Sequence, residues 1–261
     1  MKQHFAIAIF TVILSACETS EVVETPDARL VVEGILHAGQ PPSVEITKEI
    51  LFKREEDDTT TYLSGLDVYL DDGVEVRKLD DNGNGTYTDN KLVSTDKTYK
   101  ISTMYEGQEI YAETGVPSLP LGFEASDNRI KVEPFTGGGR PTANNTENLQ
   151  LTWTYEDQAY YIVIASNLET DPDPINTSGF QRPVFRSEPI QDDSYEIRGF
   201  DFEYYGDYAI ILFKVNADYA ALYEDPGDNS LTIKSPYSNI TNGLGVFTAV
   251  NSDTLYVEVH D

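Results

Sequence analysis

Along much of the chain, apolar and polar residues alternate one by one. Leu66, Val68 and Leu70 are separated by Asp67 and Tyr69, and Tyr99 and Ile101 flank Lys100. Leu149, Leu151 and Trp153 are separated by Gln150 and Thr152, and near the end Leu255, Val257 and Val259 alternate with Tyr256, Glu258 and His260. Successive side chains of a strand point to opposite faces, so a period of two predicts half-buried antiparallel sheets. Turn signals punctuate the pattern at Asp72-Gly73, Asn82-Gly83, Asn84-Gly85, Glu106-Gly107 and Tyr205-Gly206. Short strands at such spacing predict an all-β fold of two β-sandwiches. One short helix is expected over residues 217–223, with Asn216 as its N-cap and Pro226-Gly227 as its stop.

A boundary falls between residues 117 and 148. Pro117 and Pro120 close the first set of strands, and residues 137–148 are rich in Gly, Pro, Asn and Thr. Between them, residues 130–132 read as the opening strand of a second unit. The chain therefore divides into residues 28–120 and 121–261, each the size of one sandwich.

Composition narrows the partners. The chain has 261 residues with 45 Asp and Glu against 18 Lys and Arg, a formal charge of −27. Such a surface repels phosphate backbones, which argues against nucleic acid as a partner. At 39% hydrophobic residues it can still build a packed core, so the acidity does not signal disorder. A single cysteine excludes internal disulfides and cysteine-ligated metal clusters.

That cysteine has a telling position. Lys2 precedes an apolar run over residues 5–14, which ends in Leu14-Ser15-Ala16-Cys17. A ten-residue helix spans about 15 Å, half of a bilayer core, so the run reads as an export signal rather than a membrane span. The small residues before Cys17 match a bacterial lipobox, which makes residues 1–16 a lipoprotein signal peptide and the Cys17 thiol the acceptor of a diacylglyceryl group. Residues 17–27 then read as an acidic, flexible tether, and lipid is the expected attachment to the membrane.

The order of several segments carries a resemblance. LVVEG at 30–34, SGLDVYLDDG at 64–73, GNGTY at 83–87, TYKIS at 98–102, GQEIYAETGVP at 107–117 and YSNITNGLGVF at 237–247 resemble a family of Bacteroidota outer-membrane lipoproteins known as a domain of unknown function. The resemblance covers nearly the whole mature chain, and this sequence departs from it in a short second domain. It implies a prealbumin- or carboxypeptidase-regulatory-like sandwich followed by a fibronectin type III-like one. It further implies an outer-membrane protein encoded beside TonB-dependent receptors, and one of those receptors as a partner. Glu18 and Glu21, close behind Cys17, resemble the acidic residues of lipoproteins sent to the cell-surface face.

Few residues suggest chemistry. Asp80-x-Asn82-x-Asn84-Gly85 matches the start of a calcium loop, but the twelfth position is Lys91, where a bidentate carboxylate is needed. A hairpin accounts for it better, and no metal or other cofactor is expected. Residues 55–58 (Glu-Glu-Asp-Asp) read as a solvated loop tip. The histidines beyond the signal, His37 and His260, form no metal-binding pair, no GxSxG elbow occurs, and Gly137-Gly138-Gly139 lacks the Lys-Ser/Thr of a phosphate loop. The expectation is a non-enzymatic protein. One loop invites two readings: Asn239, Ile240, Asn242, Gly243, Leu244, Gly245 and Phe247 either plug the second domain or contact a partner. The 17 tyrosines suit half-wet sheets, though clusters such as Tyr160-Tyr161 and Tyr204-Tyr205 would also stack on sugars. The sequence thus supports an accessory protein of a TonB-dependent transporter, with a free-standing adhesive or glycan-binding module as alternative and an acid-pair hydrolase as a remote one.

Overall fold

The computed structural model describes residues 28–50, 60–134, 146–176, 182–223 and 237–261. The predicted alternation becomes strands almost everywhere. The first half contributes β1 (Leu30–His37), β2 (Ser43–Lys48), β3 (Thr61–Tyr62), β4 (Val68–Asp71), β5 (Val76–Lys78), β6 (Asp80–Asp81), β7 (Thr86–Thr88), β8 (Thr98–Tyr105) and β9 (Gln108–Gly115). The second contributes β10 (Glu124–Ala125), β11 (Arg129–Lys131), β12 (Leu149–Thr152), β13 (Tyr160–Asn167), β14 (Val184–Arg186), β15 (Ser194–Ile197), β16 (Gly206–Val215) and β17 (Leu244–His260). The fold is all-β and sandwich-like, with one short helix, α1 (Ala217–Ala220), among the described residues.

One large sheet runs through the molecule in the order β14-β13-β16-β17-β1-β2-β7-β6, with β11 added to β17 and β3 to β2. A four-stranded sheet (β5-β4-β8-β9) and a three-stranded sheet (β10-β12-β15) cover two regions of its inner face. The spine is β17, 17 residues long and so roughly 56 Å at ~3.3 Å per residue. Its first part pairs in parallel with β1, Val31 opposite Leu244 through His37 opposite Val250. Its second part pairs antiparallel with β16, Val215 opposite Val250 through Gly206 opposite Val259.

Alternate residues of this strand divide between two cores. Phe247 and Ala249 join Leu30, Val32, Val68, Leu70 and Ile101 in the first. Val257 and Val259 join Leu149, Leu151, Trp153, Ile210 and Leu212 in the second. Asn251 stands between them and donates its side-chain N–H to the Pro117 carbonyl at 3.0 Å. The first core thus draws on both sides of position 120. Ile240, Phe247 and Ala249, sequence neighbours of the second unit, pack in the first core.

The connection between the cores is clamped by polar side chains. Lys214, buried on β16, donates to Ser118 Oγ at 2.7 Å and pairs with Glu156. Asn216 donates to Thr114 Oγ1 and to the Gly115 carbonyl, and it makes no side-chain cap bond to α1. The N-cap expectation fails for a tertiary reason, since two acceptors on β9 outcompete the helix N–H groups. The helix is also shorter than expected, passing at Ala221 into a 3₁₀ turn (Ala221–Tyr223). Tyr205-Gly206 is likewise no hairpin turn, because Gly206, at φ +112°, opens β16.

The abundance of tyrosine now has a physical basis. Tyr87, Tyr99, Tyr161 and Tyr208 bury their rings in the cores, and each hydroxyl ties a nearby loop. Tyr87 donates to the Leu63 carbonyl and accepts from the Leu66 N–H, while Tyr208 does the same with the carbonyl and N–H of Tyr204. A phenylalanine would fill the core nearly as well but leave those backbone groups unpaired.

Candidate functional site

The outer face of the large sheet, opposite the two small sheets, carries an apolar groove across the strands. Residues 160–165 and 208–213 are almost continuously apolar, so β13 and β16 present apolar side chains on both faces. Their inner side chains fill the second core, and their outer ones, Ile162, Ile164, Phe213 and Val215, floor the groove. Ladder register sets these residues side by side. His37 stands opposite Val250, Val250 opposite Val215, Phe213 opposite Ile162, and Ile164 opposite Arg186. From β14 to β1 the backbones span four strand spacings, roughly 19 Å at ~4.8 Å each. The cavity measures about 220 Å³, and Tyr219 of α1 forms part of its wall.

Two polar side chains stand at its ends. At the β1 end the His37 ring meets Phe213 edge-on, centroids 6.3 Å apart. Burial lowers the His37 pKa below its ordinary value, so the imidazole is neutral at pH 7. At the β14 end the Arg186 guanidinium lies over the rings of Tyr223 and Tyr219, at 5.1 and 5.8 Å from their centroids. It also donates to the Tyr219 hydroxyl. Arg186 has no carboxylate partner among the described residues, whereas Arg29, Arg77, Lys91, Lys97, Arg198 and Lys214 all do.

The residues singled out from sequence lie elsewhere. Cys17, the acidic stretch 55–58 and the glycines at 137–139 lie outside the described residues. Asp80, Asn82 and Asn84 fall in the β6–β7 hairpin, where Asn84, Gly83 and Gly85 all take positive φ. The Asn82 side-chain NH₂ donates to Thr88 Oγ1 at 2.7 Å, and the neighbouring Asp81 carboxylate accepts from the N–H groups of Gly65 and Gly83. Lys91 reaches away to Asp72 and Glu75. Among the described residues, no group of three or more His, Cys, Asp and Glu side chains is placed to hold a metal ion.

The loop at 239–247 belongs to the first core. Ile240 is buried there, Thr241 bridges to Tyr111 of β9, and Asn242 donates to the Glu109 carbonyl. A Cβ on Gly245, at φ +100°, would lie 2.1 Å from the Val32 carbonyl oxygen, so the close approach of β17 to β1 requires glycine. Leu244 and Val246 remain half-buried at the strand's start. The loop plugs a core, although of the first unit rather than the second.

The groove was not found from sequence because strand periodicity shows that a residue faces outward but not which strands lie beside it. The available signal was the two-sided apolarity of residues 160–165 and 208–213.

An all-β, sandwich-like protein with a groove on its broad sheet is the class that fold and site define. The chain belongs to the family described as a domain of unknown function (DUF4249), which matches residues 18–255. No curated protein matches the chain. Among solved structures it is similar to one titled "Crystal structure of tetra-tandem repeat in extending region of large adhesion protein", at 14% identity and a TM-score of 0.21. That match covers 87% of this chain and 49% of the other, so the chain spans about half the length of that structure.

Proposed function

We propose that this protein is a lipid-anchored, non-enzymatic binding subunit on the outer-membrane surface of a Bacteroidota cell, working as accessory to a TonB-dependent transporter. The observation that carries the reading is the placement of Cys17 behind Leu14-Ser15-Ala16, thirteen positions before the first strand at Leu30. The frame behind that cysteine suits an anchored load. Strand β1 is central in the large sheet, paired on one side to β17 and on the other to β2. Tension entering at residue 28 is thus shared by two ladders and both cores.

The test is expression of the full chain in a Bacteroidota host, followed by detergent extraction and intact mass. A mature protein starting at Cys17 with a diacylglyceryl adduct, retained in membranes and co-purifying with a β-barrel, is the expected result. Cys17→Ser should release it from the membrane fraction. An unmodified N-terminus at another residue overturns the anchor, and a lipidated protein that brings no barrel with it overturns the transporter role.

A further inference from the structure

We infer that the groove on the outer face of the large sheet binds a small monocarboxylate with a slim apolar body, of the medium-chain fatty acid class. This goes beyond the accessory role above and stands independently of the anchor and of any transporter.

The floor selects the body of the ligand. Ile162, Ile164, Phe213, Val215 and Val250 offer carbon surface without hydrogen-bonding groups, so a polar chain such as a sugar would lose its water contacts there without replacement. The volume of about 220 Å³ lies below the ~300–1,000 Å³ of drug-sized sites, which points to a ligand of about a dozen heavy atoms or fewer.

Arg186 selects the head. A guanidinium has five N–H donors in a rigid fork; one is given to the Tyr219 hydroxyl. Its central carbon lies over the Tyr223 ring at 5.1 Å from the centroid, and the donors not given to Tyr219 suit a carboxylate met through two parallel bonds. In a chain of charge −27, a guanidinium with no carboxylate partner among the described residues, beside an apolar floor, is complementary to an amphipathic anion. The floor selects against a second charge. An eight-carbon chain held at Arg186 ends over Ile162 and Phe213, well short of His37 across the four strand spacings, so the far carboxylate of a diacid would be desolvated on carbon surface without a cation. One anionic head and one apolar tail satisfy the site.

The test uses octanoate, 1-octanol and suberate, the eight-carbon dicarboxylate, titrated calorimetrically into the full mature chain at pH 7. Octanoate is expected to bind at least tenfold more tightly than either comparison compound. Arg186→Gln, at an exposed position, should fold normally and reduce octanoate to the affinity of octanol. Phe213→Asp should abolish binding of both; where that variant melts early, Arg186→Gln decides alone. Equal affinities of octanoate and octanol, indifference to Arg186→Gln, or no binding of octanoate at millimolar concentration would each overturn the inference. A barrel that co-purifies while octanoate fails to bind leaves the accessory role standing, and the reverse result leaves the groove standing.

Discussion

Asn239 and Phe247 are joined twice: the Asn239 amide oxygen accepts from the Phe247 N–H at 2.9 Å, and its NH₂ donates to the Phe247 carbonyl at 2.8 Å. One side chain thereby imitates a strand neighbour at the point where β17 begins, and holds Ile240 and Phe247 in the first core.

Asn239→Ala should cost about 1–3 kcal/mol, because two backbone groups lose their partner. Asn239→Asp keeps the acceptor but sets a carboxylate oxygen against the Phe247 carbonyl, and should cost at least as much. Urea denaturation with a shared m-value measures both. Loss of no stability in Asn239→Ala would show that the loop is not a structural plug.

Gly245→Ala tests the weld between β17 and β1. At φ +100° an added Cβ meets the Val32 carbonyl oxygen, and backbone strain alone is of order 1–3 kcal/mol. The thermal midpoint should drop as one transition, with the amides of β1 and β13 losing hydrogen-exchange protection together.

Because β17 serves both cores, the two should unfold together. Emission of Trp153, the sole tryptophan and a residue of the second core, should show the same midpoint as exchange of first-core amides in β1 and β8. A fragment of residues 28–120 lacks Ile240, Phe247 and Ala249 and should not fold. Two separate transitions, or a folded fragment, would contradict the shared spine.

Asp72 sets an acid limit. Its buried carboxylate accepts from Lys91 at 3.0 Å, Lys97 at 3.2 Å and Arg77 at 3.4 Å, and from the N–H groups of Val74 and Glu75. The Lys91 bond, with the backbone and Lys97 bonds, holds its pKa well below the usual carboxylate range. A carboxyl group depressed in the folded state stabilises the fold above its unfolded pKa of about 3.9, and that contribution fades as pH falls below it toward the folded value. The melting temperature should therefore decline below about pH 4. Asp72→Asn should melt lower at pH 7 and show a shallower further decline in acid.

Calcium should have little effect. The twelfth loop position is Lys91, whose ammonium goes to Asp72 and Glu75, so no bidentate carboxylate closes the Asp80–Asn84 hairpin around a cation. Melting curves in EDTA and in millimolar calcium should superimpose. A calcium-dependent rise abolished by Asp80→Ala would reassign the hairpin as a metal loop.

What the sequence determined by itself was local. Alternation at 66–70, 99–101, 149–153 and 255–259 places Val68, Leu70, Tyr99, Leu151 and Val257 in cores because a strand's two faces are set by its own backbone. The Glu106-Gly107 turn, both residues at positive φ, followed from the same kind of short-range sterics. Partnership across the chain was decided only by tertiary structure. Nothing in residues 244–250 shows that they pair with β1, more than two hundred positions earlier, while residues 250–259 of the same strand pair with β16. The same holds for Asn216, which turns from its helix to β9, and for His37, Phe213 and Arg186, which share a groove only because β1, β17, β16, β13 and β14 stand in that order. Side-chain period is written in neighbouring residues, whereas strand order depends on which distant apolar faces bury each other best, and that emerges only when the whole chain is packed.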